Sequence, residues 1–268
     1  GYVRVVTTDF VNLPFAIVRH SLVYIKTILQ INFLNNYLNI VYMLKISELE
    51  NKKIAVHNTA CALDKLLTTD DISPLPACSG FSILIVGSSG SGKSTLLHSI
   101  MTKPKKNGQR QSYKNLFDRI YVISPTLGGK SVKGDKFASL PEDQIYRELS
   151  LEVLDELEEK LYENKEEGLH SCVVMDDIGS QLKSRGAKCE KKLVQMLQNR
   201  RHVACSYITL LQKFKDCPNG IRSNTSHLAF FRPRNRIEKE AVMHELMPYD
   251  NKKNEQIFAH IFDNEKMK

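Results

Sequence analysis

The chain has 268 residues and is 42% hydrophobic, enough for one large core or for one domain with an extension. Lys plus Arg total 38 against 30 Asp plus Glu, and the net charge of +8 suits a polyanionic partner as readily as a solvated basic surface. Six cysteines show no CxxC pair and no zinc-ligand spacing, which argues against a disulfide framework or a zinc module and for reduced thiols in a cytosolic or nuclear protein.

Residues 1–45 read as an extension of undefined character. The apolar stretch SLVYIKTILQINFLNNYLNIVYMLKI (21–46) is broken by Lys26, Gln30, Asn32, Asn35, Asn36 and Asn39. A spanning helix needs about 20 predominantly apolar residues, so no membrane partner is expected. No signal-peptide cleavage pattern is evident, and secretion is not expected. The chain opens on Gly rather than Met. One reading takes Met43 as the initiator and residues 1–42 as translated upstream sequence; a native peptide ending before Met43 would sink it. Residues 46–79 read as a helix and a linker, since DDISPLPACSG (70–80) carries two prolines and a glycine. The main domain is expected over 80–268.

FSILIV (81–86) is a continuous apolar, β-branched run and predicts a buried parallel strand. STLLHSIM (94–101) places Leu97, Ile100 and Met101 at helical spacing. Between them, Gly87, Ser88, Ser89, Gly90, Ser91, Gly92, Lys93 and Ser94 match GxxxxGK[ST] without a gap, and Thr95 follows. Glycines let the backbone wrap a phosphate with several N–H groups turned inward. The helix N-terminus adds its positive end. Lys93 is expected to reach the β- and γ-phosphates and the Ser94 hydroxyl to ligate Mg²⁺. The competing reading, a flexible glycine–serine turn, leaves the flanking strand and helix unexplained.

RIYVIS (119–124) predicts a second strand. LEVLDELEEKLYE (151–163) predicts an amphipathic helix with Leu154, Leu157 and Leu161 inward and its acids outward. CVVMDD (172–177) is a third strand, and a helix over 187–199 leads to a fourth, ACSYITLLQ (204–212). HLAFF (227–231) is the fifth, and a helix over 235–246 follows. This alternation predicts an α/β fold, a parallel sheet with helices on both faces. Ligands bind such sheets at the carboxyl ends of the strands, where the P-loop, Asp176, Asp177 and Gln212 all fall. Asp176 is the candidate Mg²⁺ residue opposite Ser94, and Asp177 the candidate group that orients or deprotonates the attacking water. The rival reading is an Asp helix cap. Gln212 is a candidate for sensing the γ-phosphate or positioning water. Arg200, Arg201 and Arg222 are candidate arginine fingers for a neighbour's site, with Arg201 favoured over Arg222; plain surface charge is the alternative.

The P-loop strand, VVMDD, NRRHVACSYITLLQ with its Arg201–His202 pair, GIRSNTSHLAFFRPRN and SPT (124–126) together resemble the poxvirus-type DNA-packaging ATPases of the FtsK–HerA superfamily. The tail LMPYDNKKNEQIFAHIFDNEK is similar to their virophage and Maverick/Polinton branch. The resemblance covers about residues 80–262. It implies a three-layer RecA-like (ASCE) P-loop core whose five strands run 5-1-4-3-2, ATP as the nucleotide, and Gln212 as the polar sensor. It also implies a homo-oligomeric ring that drives double-stranded DNA into a capsid, with capsid or portal-vertex partners. The place of action would be the virion or a viral factory in the host nucleus or cytoplasm. The N-terminal 45 residues have no counterpart in the family pattern, and the chain stops where such proteins continue into another short strand, so a truncated copy is one expectation.

A ring translocase grips phosphates rather than base edges. TKPKKNGQRQSYK (102–114) carries Lys103, Lys105, Lys106, Arg110 and Lys114. KSRGAKCEKKL (183–193) carries Lys183, Arg185, Lys188, Lys191 and Lys192 and is the better placed to face a pore. Either is equally a solvated loop. Two rival functions stand beside the motor. A small-molecule P-loop kinase would want an arginine-rich lid and leaves Gln212 unexplained. An ATP-binding assembly module, or an inactive transposon copy, would bind nucleotide without turnover.

Overall fold

The computed structural model describes residues 5–6, 75–76, 79–102, 112–125, 136–184, 186–247 and 249–262. The chain divides into two compact units, one of residues 1–9 with 62–268 and one of residues 10–61. The second unit lies outside the described residues. So do most of the expected extension, helix and linker, the residues Lys103, Lys105, Lys106, Arg110 and Arg185, and Thr126 of the SPT stretch.

The sheet has seven strands: β1 (Val5–Val6), β2 (Ser82–Val86), β3 (Arg119–Ile123), β4 (Ile145–Tyr146), β5 (Ser171–Asp176), β6 (Cys205–Leu211) and β7 (His227–Phe230). Their order is β1-β7-β2-β6-β5-β3-β4. β1 runs antiparallel to β7, and all other pairings are parallel. The five strands read from the sequence fall in the order 5-1-4-3-2, as the resemblance implies. The short edge strands β1 and β4 were not legible, because two residues carry no periodicity.

Each central strand is buried on both faces, which is why its sequence is a continuous apolar run. Ile83 and Ile85 of β2 pack on one face with Leu97, Ile100 and Met101 of α1 (Lys93–Thr102), together with Tyr113 and Phe117. Leu84 and Val86 point to the other. There α2 (Leu151–Glu166) inserts Leu154, Leu157 and Leu161, and α4 (Gly186–Asn199) inserts Cys189, Leu193, Met196 and Leu197. The result is a three-layer α/β/α domain. Full burial of each such leucine is worth about 1.5–3 kcal/mol.

The remaining helices are α3 (Gly179–Ser184), α5 (Asn219–Ser223), α6 (Arg236–Leu246) and α7 (Asn251–Phe262). Ser150 caps α2, its hydroxyl accepting the Val153 N–H at 3.2 Å, and Asn235 caps α6. Within the tail read only as a family signature, residues 251–262 form the helix α7, whose Phe258 and Phe262 rings lie 4.6 Å apart; Phe258 packs in the core with Val242 and Met243 of α6, and Phe262 meets Phe230 of β7. Tyr113 stacks on Phe81 with centroids 4.8 Å apart and donates its hydroxyl to the Pro76 carbonyl at 2.8 Å, fixing the approach to β2. Among the described residues no helix is long and apolar enough to cross a membrane.

Candidate nucleotide site

β2 delivers Gly87 to the carboxyl edge of the sheet, and the chain turns through Gly90 (φ +75°) and Gly92 (φ +104°) into α1. Side chains rarely adopt these angles, so glycine is required for the turn. Gly87 is required for a different reason. A Cβ there would lie 2.6 Å from Ser91 Oγ and 2.7 Å from Phe231 Cβ. Lys93 donates to the carbonyls of Gly87 at 2.7 Å and Ser88 at 3.1 Å, which folds its ammonium back over the loop. Burial lowers its pKa from the ordinary lysine value, and the charges of Asp176 and Asp177 oppose that shift. Both carboxylates therefore act on the P-loop cation across the strand edge. Ser94 lies in the first turn of α1, half-buried, and Thr95 beside it is exposed.

Asp176 ends β5, paired with Leu210 of β6. Asp177 follows in the left-handed region at φ +54°, which Asp tolerates better than most side chains. Gln212 directly follows β6. Its Nε2 donates to Asp177 Oδ1 at 2.9 Å and Oδ2 at 3.0 Å. A carboxylate only accepts, so the amide must present its NH₂ side. Fold and sequence thus bring Lys93, Asp176, Asp177 and Gln212 to one edge.

A Ser94 hydroxyl and an Asp176 carboxylate are hard oxygen donors of the kind Mg²⁺ takes together with substrate phosphates. Asp176 ends β5 at the carboxyl edge of the sheet, the edge at which β2 delivers the P-loop, and the donor chemistry of the pair fits the ion.

Several neighbours of the site were not anticipated. A cleft of about 280 Å³ runs beside the P-loop, lined by Ser88, Ser89, Gln212, Phe231, Arg234 and Glu238 among others. Arg234 donates to the Ser89 carbonyl at 2.9 Å. The only sequence signal for Phe231 and Arg234 was membership of the FFRPRN stretch that carries the family likeness, and Glu238, three residues beyond it, had none as a site residue.

The arginine and lysine candidates separate. Arg222 is held within its own chain. It donates to Glu245 Oε1 at 2.7 Å, to Asn219 Oδ1 at 2.7 Å and to the Cys217 carbonyl, and it lies 5.0 Å over the Phe214 ring. That geometry clamps α5 to α6 and occupies the guanidinium that the sequence offered as a finger. Arg200 is likewise engaged, donating to the Gly80 and Leu197 carbonyls. Arg201 is exposed and precedes β6, at the edge of the sheet away from its own P-loop. The basic stretch 183–193 does not form a single free strip. Lys183 pairs with Asp216, and Lys192 pairs with Asp155 and with Glu158 at 2.7 Å. Lys188 and Lys191 are exposed on α4, and Lys114 is exposed as well.

The fold and this site define a P-loop NTPase. Residues 77–261 match the family model described as the Poxvirus A32 protein, and the chain belongs to that family. It is an ATPase of the genome-packaging type. A comparison with curated protein sequences gives no match. Among solved structures the chain is similar to the genome packaging NTPase B204 of Sulfolobus turreted icosahedral virus 2 in complex with ATP-gammaS. That likeness is 15% identity over 66% of this chain and 86% of the other, with a TM-score of 0.45. It is also similar to the DNA-packaging ATPase B204 of Sulfolobus turreted icosahedral virus, at 16% identity over 67% and 87%, TM-score 0.45. A third likeness is to EssC (ATPases 2 and 3) of Geobacillus thermodenitrificans, at 17% identity over 64% of this chain and 35% of that one, TM-score 0.43.

Proposed function

We propose that residues 80–268 form the motor domain of a homo-oligomeric ring that hydrolyses ATP to ADP and phosphate and drives double-stranded DNA into a capsid. The tail supports a place in the virophage and Maverick/Polinton branch. The observation that carries the reading is the Asp177–Gln212 pair standing across the strand edge from Lys93.

In this reading the P-loop N–H groups and Lys93 bind the β- and γ-phosphates of ATP. Ser94 and Asp176 would hold Mg²⁺, which neutralises charge on those phosphates. Asp177 orients the attacking water and takes up its proton. The γ-phosphate competes for the Gln212 amide that otherwise holds Asp177, so phosphate occupancy and water activation share one group. Arg201 is the candidate to act on a neighbour's nucleotide, because it is exposed and removed from its own site. Lys188 and Lys191 are the candidate DNA contacts, with Arg185 beside them in sequence. Capsid or portal-vertex proteins would be the docking partners, and the place of action the virion or viral factory.

The test is ATP hydrolysis with and without double-stranded DNA, on the chain and on Lys93→Ala. DNA stimulation of a rate that Lys93→Ala abolishes supports the motor. Phosphate transfer to a small acceptor would instead favour a kinase, and nucleotide binding with no Lys93-dependent turnover an assembly module.

A further inference from the structure

Glu238 lies in the first turn of α6, where its own N–H donates to the capping Asn235 Oδ1 at 2.9 Å. Its side chain is not a solvated first-turn acid. The residue is only 8% exposed, and a carboxylate that buried is tolerated only where donors meet it. One donor comes from a distant segment: the Phe214 N–H reaches Glu238 Oε2 at 2.7 Å. Phe214 stands two residues beyond Gln212, and its ring is almost wholly buried under the Arg222 guanidinium. Asp216, in the same turn, pairs with Lys183 of α3. The turn after β6 is therefore held at its ring, at its far end and at its backbone. The Glu238 bond joins two backbone bonds that flank Gln212, from the Gly87 N–H to the Leu211 carbonyl at 3.1 Å and from the Asp216 N–H to the Lys213 carbonyl at 3.2 Å, and it brings a side-chain carboxylate from α6 to that turn. Glu238 also lines the cleft that Gln212, Ser88 and Ser89 share.

We propose that Glu238 is a positioning residue for ATP hydrolysis: by fixing the Phe214 N–H it sets where the Gln212 amide sits, and so how the Asp177 carboxylate is presented. The role rests on the hydrolytic reading above. Charge-assisted bonds to backbone N–H groups are short and directional, which suits this task. A shift of about 1 Å in a positioned catalytic group can cost on the order of a hundredfold in rate. The Glu238 carboxylate bonds the turn after β6, whereas Lys93 bonds the Gly87 and Ser88 carbonyls, so loss of Glu238 should act on turnover and spare nucleotide binding.

The experiment compares wild type, Lys93→Ala, Glu238→Ala, Glu238→Gln and Glu238→Asp. It reads phosphate release, titration with a fluorescent ATP analogue, thermal melting, and amide exchange by mass spectrometry. Glu238→Ala is expected to lower kcat by about tenfold or more while KM stays within about twofold. Glu238→Gln retains an acceptor oxygen and is expected to recover kcat to within about threefold of wild type. Exchange over residues 212–217 should quicken about tenfold in Glu238→Ala, with the P-loop peptide unchanged. Should Glu238→Ala fail to fold, Glu238→Asp keeps the charge, withdraws the oxygen by one methylene and should show the same split. A kcat within about twofold of wild type in the folded Ala or Asp variant overturns the proposal. So does a Gln variant no better than Ala, or a parallel fall in kcat, nucleotide affinity and melting temperature. Wild type without Lys93-dependent turnover overturns the hydrolytic reading itself, and the Glu238 role with it.

Discussion

Gln212 donates its side-chain amide to both carboxylate oxygens of Asp177, at 2.9 and 3.0 Å, across 35 residues of sequence. The pair joins the ends of two adjacent parallel strands, so neither side chain is set by its own strand alone. Gln212→Glu would place a second carboxylate against Asp177. Its kcat is expected to fall by about 10²–10³, the range seen when a single stabilising donor is removed. Affinity for ADP, which lacks the γ-phosphate, should stay within about threefold, because Lys93 and the loop are untouched. Phosphate release and a fluorescent-nucleotide titration check both halves. Equal losses in rate and affinity would count against a role for the pair in turnover.

The P-loop glycines are expected to rank by their surroundings. Gly87→Ala drives a Cβ against Phe231 Cβ, which is fixed to the backbone and cannot swing away. Overpacking of this kind costs about 1–3 kcal/mol, and nucleotide binding should be lost with it. At Gly90 nothing lies within 4 Å of the added carbon, although φ is +75°. Gly90→Ala should therefore cost only the left-handed strain, about 1–2 kcal/mol. Urea melts of the two variants, run beside nucleotide titrations, test the order.

Arg222 and Arg201 should give opposite phenotypes. Arg222→Ala removes a guanidinium that bonds Glu245, Asn219 and the Cys217 carbonyl, and is expected to destabilise the fold by about 1–3 kcal/mol. Arg201→Ala should leave the melting temperature unchanged. If Arg201 serves a neighbour's site, mixing Arg201→Ala with Lys93→Ala should restore turnover at mixed interfaces that neither variant shows alone. No recovery in a mixture shown to co-assemble would remove Arg201 from consideration.

The lysines of α4 divide in the same way. Lys192 ties α4 to α2 through Asp155 and Glu158, and Lys192→Ala should cost about 1 kcal/mol of stability, read by denaturant unfolding. Lys188→Ala with Lys191→Ala should leave stability intact and lower DNA affinity. Each lost phosphate contact should also reduce the slope of log K against log salt by about 0.9. An unchanged slope would place the DNA contact elsewhere.

Burial raises the thiol pKa of Cys217 to about 12 and pushes Cys172 and Cys205 up as well. The thiolate is the reactive form, so at about pH 8 these three should resist iodoacetamide in the native protein and react after denaturation. Peptide mass mapping of the alkylated sites checks this. Rapid native labelling at Cys172 would contradict its fully buried place in β5.

The nucleotide loop was legible because eight consecutive residues carry its whole geometry, and local sequence dictates local turns. The apolar runs of β2, β3, β5, β6 and β7 were legible because strands buried on both faces leave no room for polar residues. Which charges are already engaged was not legible. Lys183, Lys192 and Arg222 looked available in sequence, but each meets a carboxylate supplied from another element. Helices α3 and α5 escaped notice because each is only a turn or so long, and α7, which seats Phe258 in the core, was read only as part of a family signature.

The sequence by itself determined a phosphate-binding loop, a parallel sheet and two aspartates at the end of one of its strands, since each is encoded within a few neighbouring residues. Only the tertiary structure decided which amide holds Asp177, which buried carboxylate bonds the backbone two residues beyond that glutamine and which basic side chains are already engaged. Those facts depend on contacts between segments tens of residues apart, fixed by how the helices pack on the sheet and by no local pattern along the chain.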